Sequence, residues 1–268
     1  MTNNIFADTP APIRLQMRPF RHVSLLLVGC GGTGSHLLSG IVTLMMELEA
    51  RGISCDLTLC DPDKVEKKNV GRQLFSAGEI GMNKAQALAR RALVAYGRVV
   101  QARGRALEDM DILMCGRDVL SIVIGAVDNP EARAIIAQNV DESMETVWWL
   151  DCGNENYSGQ IALGNTGRKE CLEPEMGMIA NLPSPDAVYP DLIATKAQTA
   201  RPAASCATAL ASGDQGLMVN RMVAAWALAM LDAFLLRGDL RYHAVDFDLL
   251  NGGVKSRAID EEMARKFS

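Results

Sequence analysis

Several features are scarce in this sequence, and each scarcity excludes something. The seven cysteines, Cys30, Cys55, Cys60, Cys115, Cys152, Cys171 and Cys206, include no CxxC pair, and the histidines are only His22, His36 and His243. A structural zinc draws on paired thiolates or dense Cys/His clusters, so no structural zinc is expected. Met1 to Arg21 is polar and carries Pro10, Pro12 and Pro19, without the apolar core of a secretory signal. Free thiols behind such a start read as a reduced, cytoplasmic protein. Positive charge is not in excess, with 27 Lys+Arg against 32 Asp+Glu and a formal net charge of -5. That removes any bulk attraction to nucleic acid or anionic lipid. The longest apolar stretch, Leu217 to Leu236, is interrupted by Asn220, Arg221 and Asp232. A membrane span needs about 20 nearly unbroken apolar residues, so a buried core helix is expected and no membrane. Internal repeats and low-complexity tracts are also missing.

What remains is a globular composition: 268 residues, 49% hydrophobic and 22% charged. His22 to Gly29 is a continuous apolar run ending in glycine, the pattern of a strand buried on both faces of a parallel sheet. A helix is expected from about Ser35 to Ala50, then a strand from Cys55 to Cys60 ending at Asp61, which makes a βαβ unit. Pro62 to Asn83 reads as polar and irregular, and Asn83 can cap a helix running to about Tyr96. Strands are expected at Val99–Ala106, Ser121–Val127, Thr146–Leu150 and Gln160–Leu163, with a helix started by Pro130. Five of the ten prolines fall between Pro174 and Pro202, so an irregular crossover is expected at about 164–206. A helix from about Gln215 to Leu236 and a hairpin turning at Asn251-Gly252-Gly253 close the chain.

Gly29-Cys-Gly31-Gly32-Thr-Gly34 contains GxGxxG between an expected strand and an expected helix. Glycines there let backbone approach a phosphate or ribose at a positive helix end. Asp61, at the end of the next strand, can accept both ribose hydroxyls of an adenosine. Together these indicate an adenine nucleotide without choosing between NAD and ATP.

The residues from Asp61 onward make that choice. Asp61-Pro-Asp63, Asn69-Val-Gly-Arg72-Gln73, Gly81-Met-Asn-Lys84 and Asp128-Asn129-Pro-Glu-Ala-Arg133 appear in this order after the glycine loop. The set resembles the ThiF/MoeB and ubiquitin-activating-enzyme superfamily of ATP-dependent adenylyltransferases, firmly over Val23 to Asn165. The Ser205-Cys206 context also looks like the PRTRC-system ThiF branch. The resemblance implies an α/β, Rossmann-like, doubly wound mixed sheet with a C-terminal β-hairpin, forming one domain at 21–268 behind an N-terminal arm at 1–20. It implies ATP and Mg²⁺ as cofactors. Gly29, Gly31, Gly32, Gly34, Asp61, Asp63, Asn69, Arg72, Gln73, Lys84, Asp128 and Asn129 would bind the nucleotide, and Asp128 would hold the metal. Arg72, Lys84, Asp128 and Cys206 would act in catalysis.

The residue types suit that chemistry. A carboxylate attacking the α-phosphorus of ATP meets another anion, so cations such as Arg72 and Lys84 offset the repulsion. A carboxylate beside triphosphate makes sense mainly as a Mg²⁺ ligand, which is the role for Asp128. The implied partner is a small ubiquitin-like or sulfur-carrier protein whose C-terminal carboxylate is adenylated, with a thioester on Cys206 as a subsequent step. Related enzymes complete the site with an arginine from a second subunit, which points to Arg14 or Arg18 and a homodimer. Arg133 is expected to brace its loop. Two other readings stand beside this one. An NAD(P)-dependent oxidoreductase shares the loop but leaves Arg72, Lys84 and Asp128 without a task. A non-catalytic partner subunit would be expected to have lost them.

Overall fold

The computed structural model describes residues 13–108, 116, 118–143, 146–168, 172, 178–194 and 216–267. In chain order its main elements are β1 (Arg14–Leu15), β2 (His22–Val28), α1 (Gly32–Ala50), β3 (Ser54–Cys60), α2 (Lys84–Tyr96), β4 (Gln101–Arg103), β5 (Val119–Gly125), α3 (Pro130–Glu142), β6 (Val147–Asn154), β7 (Ser158–Gly164), β8 (Met178–Ile179), α4 (Pro185–Val188), α5 (Val219–Asp232), β9 (Tyr242–Asp248), β10 (Gly253–Ala258) and α6 (Glu261–Phe267).

Eight of the strands form one mixed sheet in the order β10-β9-β7-β6-β5-β2-β3-β4. From β4 to β6 neighbours run parallel. Beyond β6 each pairing is antiparallel, so β7, β9 and the final β9–β10 hairpin extend the sheet. Alternation along β2 explains why its sequence is apolar throughout. Val23, Leu25 and Leu27 pack toward α1, α2 and α5, while Leu26 and Val28 pack with Ile136, Ala137 and Val140 of α3 on the other face. Trp148 and Trp149 divide in the same way between the two layers.

The Rossmann-like mixed sheet and C-terminal hairpin are as expected; several boundaries are not. α1 begins at Gly32, so Gly32 and Gly34 lie in its first turn while Gly29 and Gly31 precede it. β5 stops at Gly125, which leaves Asp128 in the turn to α3 and not at the strand end. β4 is only Gln101–Arg103, because β3 offers partners over Thr58–Cys60 alone and Val99 is exposed at this outer edge. β6 runs on to Asn154, held there by antiparallel pairing with β7. In the stretch expected to be irregular, the described residues include β8 and α4, and β8 pairs in parallel with β1. Ile13 donates to the Ile259 carbonyl and Gln16 to that of Ile179, which fastens the first described residues to the body.

The segment Val219–Arg237 is the one helix among the described residues long and apolar enough to cross a membrane. Val219, Val223, Ala227, Met230 and Leu231 on it are fully buried in the core shared with α1 and the sheet. Its last turn, Ala233–Arg237, widens to a π-turn and ends at Gly238, φ +60°.

Candidate functional site

Strand order reverses at β2, with β3 and β4 on one side and β5 and β6 on the other. Connections leaving the carboxyl ends of β2 and β5 diverge there, which opens a crevice at the switch point. The opening is a cleft of about 650 Å³, walled by the glycine loop, the segment after β3, the start of α2 and the β5–α3 turn.

The motif glycines divide by cause. Gly29 has φ +91°, and a Cβ there would fall on the Ala126 carbonyl oxygen. A Cβ on Gly34 would fall on the Gly29 carbonyl oxygen. On Gly32 it would lie 2.6 Å from Nδ2 of Asn220. These three are required by the protein's own packing. Over Gly31 the nearest atom is Gln73 Nε2, at 3.6 Å, so this is the glycine that leaves the loop open to the cleft.

Asp61 closes β3 and is 5% exposed. Its Oδ2 accepts the Cys30 N–H at 2.6 Å and its Oδ1 the Asp63 N–H at 2.8 Å. Burial raises its pKa above the ordinary carboxylate value, against the pull of those two amides and of Lys84. Lys84 Nζ pairs with Asp63 Oδ2 at 2.8 Å, with the ammonium nearly buried and the carboxylate exposed. Asn83 caps α2 through the Gln86 N–H and also donates to the carbonyls of Asp61 and Asp63, which fixes Lys84 beside the Asp61 loop. Asn69 is buried, and its Oδ1 accepts the Glu66 N–H at 2.8 Å. Gln73 leans over Gly31 with a buried Oε1 that has no hydrogen-bond partner.

At the opposite wall Asn129, not Asp128, caps α3, accepting the Ala132 N–H at 2.7 Å. The Asp128 side chain is therefore not spent on the helix and lines the cleft. Arg133 meets the fully buried Asp151 at 3.0 Å, so it braces α3 against β6 as expected.

Gly29, Gly31, Gly32, Asp61, Asp63, Asn69, Gln73, Lys84, Asp128 and Asn129 thus share one cleft. Gly34 lies beneath the loop, and Arg72 is exposed and outside the lining. Arg14 and Arg18 line no part of this cleft; Arg18 lines a smaller cavity of about 260 Å³ beside Trp148. Cys206 and Cys171 lie outside the described residues. Cys30 and Cys152 are buried, and burial raises both thiols well above the usual range, the opposite of an activated nucleophile.

Two groups of lining residues carry no recognisable motif. Lys64 and Lys68 flank Glu66 in the loop after Asp63 and bring cations to the cleft where Arg72 does not, with Lys68 paired to Glu66 at 2.6 Å. Their signal in the sequence is their place between Asp61 and Asn69, on one wall. Thr33, Asn154 and Asn220 join in a side-chain network at the floor, Thr33 Oγ1 donating to Asn220 Oδ1 at 3.1 Å and Asn154 Nδ2 to the same oxygen. No local pattern marks Asn220, which reaches the glycine loop from a helix 187 positions away.

Comparison with solved structures finds the same fold. E. coli MccB, crystallised with ATP, superposes with a TM-score of 0.57 at 18% identity, over 88% of this chain and 63% of that one. The MccB complex with AMPCPP and MccA gives a TM-score of 0.56 at 18% identity, with 88% and 63% covered. PaaA gives 0.56 at 16%, with 88% and 64% covered. This chain spans a little under two thirds of their length. No curated protein matches it at a significant level. The model of the ThiF family matches residues 11–265, nearly the whole sequence, and the chain belongs to that family.

Proposed function

We propose that this chain is an ATP-dependent adenylyltransferase acting on the C-terminal carboxylate of a small ubiquitin-like or sulfur-carrier protein. The observation that carries the reading is one cleft lined by a buried acid after β3, Asp61, three lysines and a carboxylate not used in capping, Asp128. Family membership supports it, as do neighbours of the same fold crystallised with ATP and with AMPCPP and MccA.

In this reading Asp61 accepts the ribose hydroxyls and Gly31 admits the backbone to the nucleotide. Lys84, Lys64 and Lys68 offset the charge of the phosphates, with Asn69 and Gln73 beside them and Arg72 on the rim. An oxygen of the acceptor's carboxylate attacks the α-phosphorus. The bond from that phosphorus to the bridging oxygen breaks, pyrophosphate leaves, and a mixed acyl-phosphate anhydride forms. Among the described residues no three His, Cys, Asp or Glu converge to hold a metal alone. Mg²⁺ does not require that, since one or two carboxylates together with phosphate oxygens and water complete its shell. Asp128 fits this role, with Glu131 on the same wall. The metal would offset phosphate charge and polarise the reacting phosphorus. Cys206 then takes the acyl group as a thioester, its thiolate attacking the acyl carbon and AMP leaving. The acting unit is a cytoplasmic homodimer in which Arg14 or Arg18 reaches the partner's cleft.

The test is ATP–pyrophosphate exchange in the presence of small glycine-ending acceptor proteins, with mass spectrometry for a dithiothreitol-sensitive adduct on Cys206. Acceptor-dependent exchange is expected, and Asp128→Ala is expected to lower it by about a hundredfold or more. Undiminished exchange in Asp128→Ala would remove that residue from the reaction.

A further inference from the structure

Helix α1 points its N-terminus into the cleft, and among the described residues no side chain caps it. Gly31 stands at the cap position with no side chain, and the first turn carries no acid. The first amide inside the ladder is that of Ser35, donating to Gly31 O at 3.0 Å, so those before it have no acceptor within the helix. A helix end alone is weak evidence for a ligand, but here a second group converges on it. Asn220 of α5 is 6% exposed, lines the cleft and lies against Gly32.

With Asn154 as the structure places it, the amide of Asn220 has one orientation. Its Oδ1 receives the Thr33 hydroxyl and the Asn154 amide, and an amide nitrogen such as Asn154 Nδ2 can only donate. Turning the Asn220 amide over would set two donors against each other. Nδ2 is therefore held on the side of Gly32 and the cleft, where it has no acceptor among the described residues. A donor held at the cleft beside the free amides of a helix N-terminus is placed to meet an anionic oxygen.

We infer that Asn220 contacts substrate, its Nδ2 donating to an oxygen of the nucleotide's α-phosphate where that phosphate meets the N-terminus of α1. This rests on the nucleotide reading above and deepens it. Asp61 is joined to the loop by the Cys30 N–H at 2.6 Å, so a ribose held on Asp61 would lie next to the glycine loop. The first phosphate follows through the 5′ oxygen and would lie toward the α1 amides and Asn220. A neutral donor suits the place. It orients one oxygen without adding another cation to a cleft that already holds Lys64, Lys68 and Lys84.

Calorimetric titration with adenosine and with AMP isolates the phosphate. Asn220→Asp keeps the shape and the acceptor for Thr33 and Asn154 but replaces the donor, and Asn220→Ser removes the donor without adding charge. In both variants the preference for AMP over adenosine is expected to fall by about tenfold or more, the size of a hydrogen bond to a charged group, while adenosine affinity serves as the reference. A wild-type preference retained in both variants overturns the inference. So does an equal loss for adenosine and AMP in both, which marks Asn220 as only supporting the loop. If the wild-type chain binds neither compound, the nucleotide reading falls together with this one.

Discussion

Glycine in a GxGxxG motif can serve the ligand or the protein, and the three-dimensional surroundings tell the two apart. At Gly29, Gly32 and Gly34 the protein's own atoms occupy the Cβ position, whereas over Gly31 there is room. The motif was legible as a loop because its spacing is local. Asp61, Lys84 and Asp128 were legible for the same reason, each standing at or near an element's end. Asn220 was not, because its meaning comes from contacts with Thr33 and Asn154 that only the fold creates. His243 is likewise ordinary in sequence. In β9 it is buried, its Nδ1 has no partner, and burial, then Arg257 and Lys266, pushes its pKa from 6.5 down to about 3. Between those values the unfolded chain takes up a proton that the native chain refuses. This one group's contribution to stability therefore falls as pH drops below about 6.5, by about 1.4 kcal/mol per pH unit. His36, lowered by burial and Arg221, adds to the same slope. His243→Leu is expected to flatten the fall between pH 6.5 and 5 by about one proton in a series of urea midpoints; an unaltered slope would contradict it.

At the level of elements, type was easier to read than extent. The apolar run of β2 identified a central parallel strand, because both faces of such a strand are buried. Where β4 and β5 stop depends on partners, and partners are set by distant sequence. Only Thr58–Cys60 pairs with β4, which limits that strand to three residues. The ion pair of Arg133 with Asp151 shows how one contact secures an element. It is almost shut off from water, with side chains 12% and 2% exposed, and it ties α3 to β6. Arg133→Met would leave a buried carboxylate without its cation, at an expected cost of about 3 kcal/mol at neutral pH in denaturant titration. Burial already raises the pKa of Asp151, and the variant lacks the guanidinium that lowers it. Protonation at lower pH then relieves the charge, so the variant's deficit is expected to shrink from pH 7 toward pH 5. A deficit independent of pH would assign the loss to packing.

At the scale of the molecule, the cleft exists because strand order reverses at β2, a property of topology and not of any residue. A ligand that binds only the native cleft raises unfolding free energy by about 2.7 kcal/mol at a hundred times its dissociation constant. For a chain of this size that corresponds to several degrees in Tm. ATP with Mg²⁺ is expected to give such a shift and NAD none. A shift with NAD alone would favour the oxidoreductase reading that shares the glycine loop.

The same topology imposes an order of assembly during synthesis. The glycine loop and Asp61 precede the rest of the cleft in the chain, as parts of a βαβ unit. The cleft stays unfinished, because its floor needs Asn154 and then Asn220, from a helix that leaves the ribosome about 190 residues after the loop. The cleft is therefore complete only once α5 docks against α1.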